Sequence, residues 1–522
     1  VAMHIDPKDW ARPGVDQIVN NVIEGAKNGQ DHIVLLHDSG GDRTETVAAL
    51  PRIIEGLRAN GFEIVTVSDL IGVSRDKIMP PVSASESLQS SLNGVTFNII
   101  NLVGSALVFL FALGIILGML RLIFIGTLSV IQWCQCRFGK RCQYFSERPG
   151  KVSVIVQAYN EEKVIAATVN SLLASDYPDF EIIVVDDGST DRTYEVMTKN
   201  FSISSRVKIF TKPNGGKATA LNHGIALAEA EIIITLDADT LFTPETVSKL
   251  ARHFINPKVG AVAGNAKVGN RINLLTRWQA LEYITSQNLD RRAFDLMNAI
   301  TVVPGAVGAW KREAINEAGG FSNLTLAEDT DLTFDIIKNG YKVRYEDEAL
   351  AFTEAPDTVR NFIKQRFRWM YGSFQAVWKH RDTWFRPRYG AMGLFAIPNV
   401  LIFQVFFPLI SPVMDLALVL SLVWAFWQKY QHPLDYSITH PFREVLFYYL
   451  FFLAIDLAAA VLAFLLERKR ENWTLLFWLV FQRFFYRQLM YYVAIKTLFT
   501  ALKGKVVGWK KFERKATVKV PM

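Results

Sequence analysis

The sequence predicts an α/β domain, a mostly parallel sheet with helices on both faces, embedded among transmembrane and interfacial helices. Three observations predict it. Between residues 150 and 385, short apolar runs alternate with stretches of helical periodicity. Residues 95–120 carry no charge, and about 20 such residues cross a bilayer as a helix. Half of the 522 residues are hydrophobic and the mean hydropathy is positive.

The first 80 residues read as a small α/β unit. Ile33–His37 is a short apolar strand running into the loop Asp38-Ser39-Gly40-Gly41-Asp42. Thr44 to Asn60 has helical periodicity, with Leu50, Ile53, Ile54 and Leu57 on one face and Gly61 as the stop. Phe62–Val67 reads as the next strand. Residues 81–94 are polar and read as a linker. Residues 95–136 form a transmembrane or interfacial helix; Arg121 to Gln135 continues apolar, as a second span or along the interface, and one crossing is preferred. Val1 is not an initiator, which reads as a start inside a longer protein.

The net charge of +7 does not point to nucleic acid, because the basic residues flank apolar runs. Arg137, Lys140, Arg141, Arg148 and Lys151 follow the first run, and Lys503, Lys505, Lys510, Lys511, Arg514 and Lys515 follow the last. Such flanks mark the cytoplasmic side of a membrane protein. Cys134, Cys136 and Cys142 lie beside the span. A zinc site needs a fourth ligand, so reduced thiols are the favoured reading, with acylation at the membrane edge as the alternative.

In the central domain, strands at 152–159, 181–187, 207–211 and 231–239 alternate with helices at Glu161–Leu173, Asp191–Asn200 and Lys217–Ala228. Ligands of such sheets bind beyond the carboxyl ends of the strands. Carboxylates stand there: Asp186 and Asp187 after one strand, Asp237 and Asp239 after another. Crowded carboxylates repel unless a cation is present. The Asp237-Ala238-Asp239 spacing suits a hard divalent ion, magnesium or manganese, that also touches phosphate oxygen. Glu328-Asp329-Thr330-Asp331 opens a further helical pattern, where acidic capping is an equally good reading. Gln365-Arg366-Phe367-Arg368-Trp369 lies on an aromatic-rich helix from Thr358 to His380. A helix resting on the membrane can present arginines to a diphosphate and Trp369 to a sugar face.

Taken in order, AYNEE (158–162), VVDDGSTD (184–191), GGKATALN (215–222), LDADT (236–240), AEDTD (327–331) and QRFRW (365–369) closely resemble processive family 2 glycosyltransferases. These include cellulose, chitin, hyaluronan and poly-N-acetylglucosamine synthases. The resemblance covers about residues 150–515. It implies a GT-A fold over 150–385 and interfacial and transmembrane helices over 391–502. It also implies a basic cytoplasmic tail over 503–522. By the same resemblance, Tyr159 and Glu161 contact substrate, Asp186 and Asp187 meet the uracil or ribose, and Lys217 sits near the nucleotide. Asp237 and Asp239 hold the metal, Asp329 is the general base, and Gln365, Arg366, Arg368 and Trp369 mark processive enzymes. Where many relatives read Thr-Glu-Asp, this chain has Ala327-Glu328-Asp329. Gly264–Arg271 and Gly305–Trp310 would line the acceptor side, with a turn or core reading equally good.

A second resemblance is confined to DPKDWARPG (6–14) and LLHDSGGDRTETVAALP (35–51), which are similar to the end of a polysaccharide deacetylase domain. His37 stands at that family's acid histidine. The base and metal-binding motifs are missing, so this segment is expected to be catalytically inactive.

Together the resemblances imply inverting, processive transfer of a sugar, N-acetylglucosamine first, from a UDP-sugar to a β-linked polysaccharide. They imply translocation across the cell membrane by a multi-pass protein with its catalytic domain in the cytoplasm and residues 1–80 outside. A small membrane partner subunit is compatible with this. The alternative is non-processive transfer of one sugar to a lipid carrier. Apolar blocks at 391–428, 444–466 and 473–499 would surround the growing chain, with Arg443, Arg483 and Arg487 turned to protein, water or headgroups.

Overall fold

The computed structural model describes residues 4–28, 33–39, 42–138, 149–431, 439–467, 471–504, 514–518 and 520. Lys140, Arg141, Cys142, Arg148, Lys505, Lys510 and Lys511 lie outside the described residues. The chain forms two compact units, Val1–Ser105 and Ala106–Met522.

In the first unit, helices Val15–Ala26 and Thr44–Ala59 bury Ile18, Val19 and Val22 against Ala49 and Ile53. The two strands expected there do not form a sheet. Val34 makes one parallel bridge to Ile5, and residues 62–66 have no strand partner among the described residues. Apolar runs become strands only where a neighbour takes up their backbone donors and acceptors. The polar stretch expected as a linker is helical from Ala84 onward. Its start is a capping box: Ser83 Oγ accepts from Glu86 N at 3.3 Å, and Glu86 Oε2 accepts from Ser83 N at 2.9 Å. The helix then runs to Arg137 through 54 residues.

The second unit is built on an eight-stranded sheet of order β3-β2-β1-β4-β7-β6-β8-β5. Its strands are β1 (Val152–Ala158), β2 (Phe180–Asp186), β3 (Val207–Thr211), β4 (Ile232–Asp237), β5 (Thr240–Phe242), β6 (Val259–Val268), β7 (Gly308–Lys311) and β8 (Lys342–Thr353). The block β3-β2-β1-β4 is parallel, and β1, β2 and β4 are near-continuous apolar runs because both faces are covered. The other half is mixed rather than parallel. The short strand β7 pairs antiparallel with both β4 and β6, and β5 pairs antiparallel with β8. Gly264 to Val268, expected on the acceptor side, is part of the fully buried β6.

Two helical stretches beside the sheet matter for the site. Leu274–Glu282 continues through a π turn, Tyr283–Asn288, into Leu289–Met297. Val359–Lys379 starts at Thr358, whose hydroxyl caps it. Ala84–Arg137 and Met392–Gln431 are long and apolar enough to cross a membrane. Arg487 meets Asp456 at 2.6 Å and Arg483 meets it at 3.7 Å, so both arginines of helix Leu479–Leu502 face protein. Cys134 is free and exposed. Cys136 is disulfide-bonded, which departs from the expectation of reduced thiols.

Candidate functional site

A cavity of about 450 Å³ opens at the carboxyl end of the parallel strands. Tyr159, Glu161, Lys217, Asp237, Asp239, Asp329, Gln365, Arg366, Arg368 and Trp369 all line it. Asp186 and Asp187 do not. Both are buried and hold loops. Asp187 accepts from Gly215 N at 3.0 Å, Gly216 N at 2.8 Å and Lys212 Nζ at 2.6 Å. Asp186 accepts from Thr211 Oγ1 at 3.0 Å and from Ser189 N at 3.3 Å. The loop fixed by Asp187 ends at Gly216, whose φ of 88° belongs to the left-handed region. Helix Lys217–Leu227 begins directly after it and presents Lys217 to the cavity.

Lys217 joins two of the carboxylate groups. Its Nζ lies 2.7 Å from Asp237 Oδ1 and 3.0 Å from Glu328 Oε1. Burial opposes its charge, yet Asp237, Glu328 and Asp329 together hold its pKa above the lysine range. Asp237 shows the reverse balance: burial pushes its carboxyl up, and Lys217 brings it below the ordinary value. Asp239 stays raised, by burial first and then by Asp237, although Arg514 pulls against both. Gly305 fits this crowding. A Cβ there would lie 2.6 Å from Lys217 Nζ, and the Gly305 amide donates to Asp329 at 3.2 Å.

Asp329 sits near the start of helix Glu328–Lys338. Its two oxygens accept from Thr330 N at 2.8 Å and from Gly305 N. Burial, then the neighbouring charge of Glu328, push its pKa up to about 6, against Lys217 and the two backbone donors. That value suits a base working near neutrality.

The aromatic helix forms another wall. Arg366, expected at substrate, donates to Glu282 at 2.6 Å and to Tyr486 at 3.2 Å, and its guanidinium lies 4.4 Å from the Trp369 ring centre. It therefore braces Trp369 while bordering the cavity. Gln365 Oε1 is buried and takes no hydrogen bond among the described residues.

Asp237 and Asp239 offer hard oxygen donors of the type that magnesium or manganese takes, and the amine and guanidinium already paired with them show that this corner is built for positive charge. A second acidic group, Asp331, Asp335 and His380, is also close enough to share an ion. There, Lys379 already lies 2.8 Å from Asp331 and 3.5 Å from Asp335, which reads as a paired charge network.

One functional residue escaped the sequence reading. Arg514, counted above as part of a basic flank, pairs with Asp239 and donates to the Glu354 carbonyl at 2.7 Å. Glu354 also accepts from the backbone of Lys515 at 2.9 Å and of Ala516 at 3.2 Å. A run of lysines and arginines carries no mark of which one turns inward.

Residues 153–319 match the family model described as glycosyl transferase family 2, and residues 318–381 match a chitin synthase-like glycosyltransferase domain. A poly-beta-1,6-N-acetyl-D-glucosamine synthase of Staphylococcus epidermidis is 32% identical over 45% of this chain and 56% of its own length. The protein of that description from Staphylococcus aureus (strain COL) is 30% identical over 43% of this chain and 55% of its own. The chain thus spans just over half the length of the curated relatives it matches. A solved structure of a mannosyltransferase, PcManGT from Pyrobaculum calidifontis in complex with GDP-Man and Mn2+, is similar with a TM-score of 0.43 and 20% identity, over 66% of this chain and 96% of that one.

Proposed function

We propose that the chain, whose residues 153–319 match the glycosyl transferase family 2 model, is a membrane-embedded, inverting and processive synthase. It would transfer N-acetylglucosamine from a UDP-sugar to a β-linked polysaccharide and move the product across the membrane. The observation that supports this most is Asp329: a carboxylate raised to about 6, held by two backbone amides, in the cavity that also contains Asp237 and Asp239.

In this reading Asp329 accepts the proton of the acceptor hydroxyl as the oxygen attacks C1 of the donor sugar. Attack opposite the departing UDP inverts an α-linked donor to a β-linkage. Lys217 and Arg368 stand on the donor side and offset charge that develops on the leaving diphosphate. Asp237 and Asp239 would hold a divalent ion, which when bound neutralises diphosphate charge. Tyr159 and Glu161 contact the donor, while Gln365 and Trp369 face the acceptor, with Arg366 bracing the tryptophan. Asp186 and Asp187 act indirectly, by fixing the loop before Lys217.

The catalytic domain would lie in the cytoplasm, with residues 1–80 outside as an inactive remnant of a deacetylase. The multi-pass arrangement, and any small partner subunit, belong to the same proposal. The test is incorporation of labelled UDP-N-acetylglucosamine by membranes containing the protein, with magnesium or manganese, beside an Asp329→Asn control. Long polymer absent from the control supports the synthase. A single sugar on lipid would replace it with the non-processive reading, and product from another UDP-sugar alone would discard the donor.

A further inference from the structure

The cations that border the cavity differ in what they touch. Lys217 is held by Asp237 and Glu328, Arg366 by Glu282, and Arg514 by Asp239. Arg291 is different. It lines the same cavity, is 6% exposed, and its Nε and Nη1 have no hydrogen-bond partner among the described residues. The adjacent carboxylate, Asp290, is already taken: Arg121 grips both of its oxygens, at 2.9 and 2.7 Å. Tyr345, Tyr283 and Asp329 are among the groups near enough to act on the charge of Arg291.

A buried guanidinium without a partner is destabilising, so its retention points to a ligand that completes it. Its position selects the ligand. Asp329 must meet the acceptor hydroxyl, and Tyr283 packs 6.3 Å from Trp369 on that wall. The diphosphate end, at Lys217 and Asp237, has its own cations. A permanently charged guanidinium suits oxygen acceptors.

Resting on the synthase reading above, we propose that Arg291 is an acceptor-specificity residue whose guanidinium donates to the terminal sugar of the growing chain. Donor binding does not depend on it.

The test uses the full chain in lipid, with Arg291→Met and Arg291→Lys. UDP release with donor alone reports donor use, and transfer to an added β-linked N-acetylglucosamine tetramer reports acceptor use. The acceptor KM of Arg291→Met is expected to rise about 10- to 100-fold, as loss of charged hydrogen bonds implies, with a smaller rise in Arg291→Lys. Donor KM and donor hydrolysis stay within about twofold. The Tm of Arg291→Met stays level or rises, because an unpaired buried charge has been replaced by apolar volume. An unchanged acceptor KM, an equal rise in donor KM, or a fall in Tm for both variants overturns the assignment. Failure of the unaltered protein to transfer from any donor would instead remove the synthase reading, and this inference with it.

Discussion

Two aspartates, one in each unit, show how surroundings decide what a carboxylate can do. Asp9 is fully buried and accepts from His37 N at 2.9 Å, His37 Nδ1 at 2.8 Å and Thr46 Oγ1 at 3.0 Å. Burial works to raise its pKa, but those bonds win and hold it below the usual value. Asp329 has two backbone donors, a carboxylate neighbour in Glu328, and a pKa of about 6. The first is a satisfied anion that fastens a loop. The second is poised to change its protonation near neutral pH and faces a cavity. The number and sign of the neighbours set the direction of each shift.

The sharpest way to break this contrast is to neutralise each aspartate. Asp329→Asn should lower transfer by about 10²- to 10⁴-fold, read from UDP release at saturating donor. Transfer equal to the parent would remove Asp329 as base. The next effect is pH. Asp329 must be ionised to accept a proton, so kcat should fall about tenfold per unit below about pH 6 and level off above it. A profile flat down to pH 4.5 would show that another group is the base.

A smaller effect is expected at Arg514. Removing its charge frees Asp239 from a competing cation, so Arg514→Ala should lower the half-saturating manganese concentration by about fivefold, from roughly 1 kcal/mol of ion pairing. A rise would mean that the guanidinium acts on the donor. The smallest effect on transfer belongs to Asp9→Asn, which should leave kcat unchanged. It should loosen the first unit by about 1–3 kcal/mol through its lost hydrogen bonds, read as faster amide exchange in Val15–Ala26. The sign follows from its depressed pKa: the stabilisation by Asp9 is present at neutral pH and is lost as acid protonates the native carboxylate. Loss of transfer in Asp9→Asn would join two units that this comparison keeps apart.

What was legible in the sequence was whatever local pattern controls. Runs such as IIITLD (232–237) are strands because they are buried on both faces, and their ends carry the carboxylates. The mixed half was not legible. Strand β7 is four residues, too short for a period, and it is defined by its partners Ile232–Thr235 and Ala261–Ala263. The roles of Asp187 and Arg366 were obscured for a related reason. A charged residue in a motif looks the same whether its partner is a ligand or a backbone amide. Arg291 and Arg514 differ from other arginines only through contacts made, or not made, across the fold.

The π turn at Tyr283–Asn288 has a consequence for length variation. A π turn accommodates one residue more than the α-helix it interrupts, and each residue of an α-helix turns the chain by about 100°. Deleting any one residue between 283 and 288 would let the helix close up as a regular spiral. Because the turn takes up the extra residue, the helices on either side would keep their faces, and Asp290 and Arg291 would stay at the cavity wall. A deletion in the regular helix Leu274–Glu282 has no such turn to absorb it and would rotate the residues that follow by about 100°.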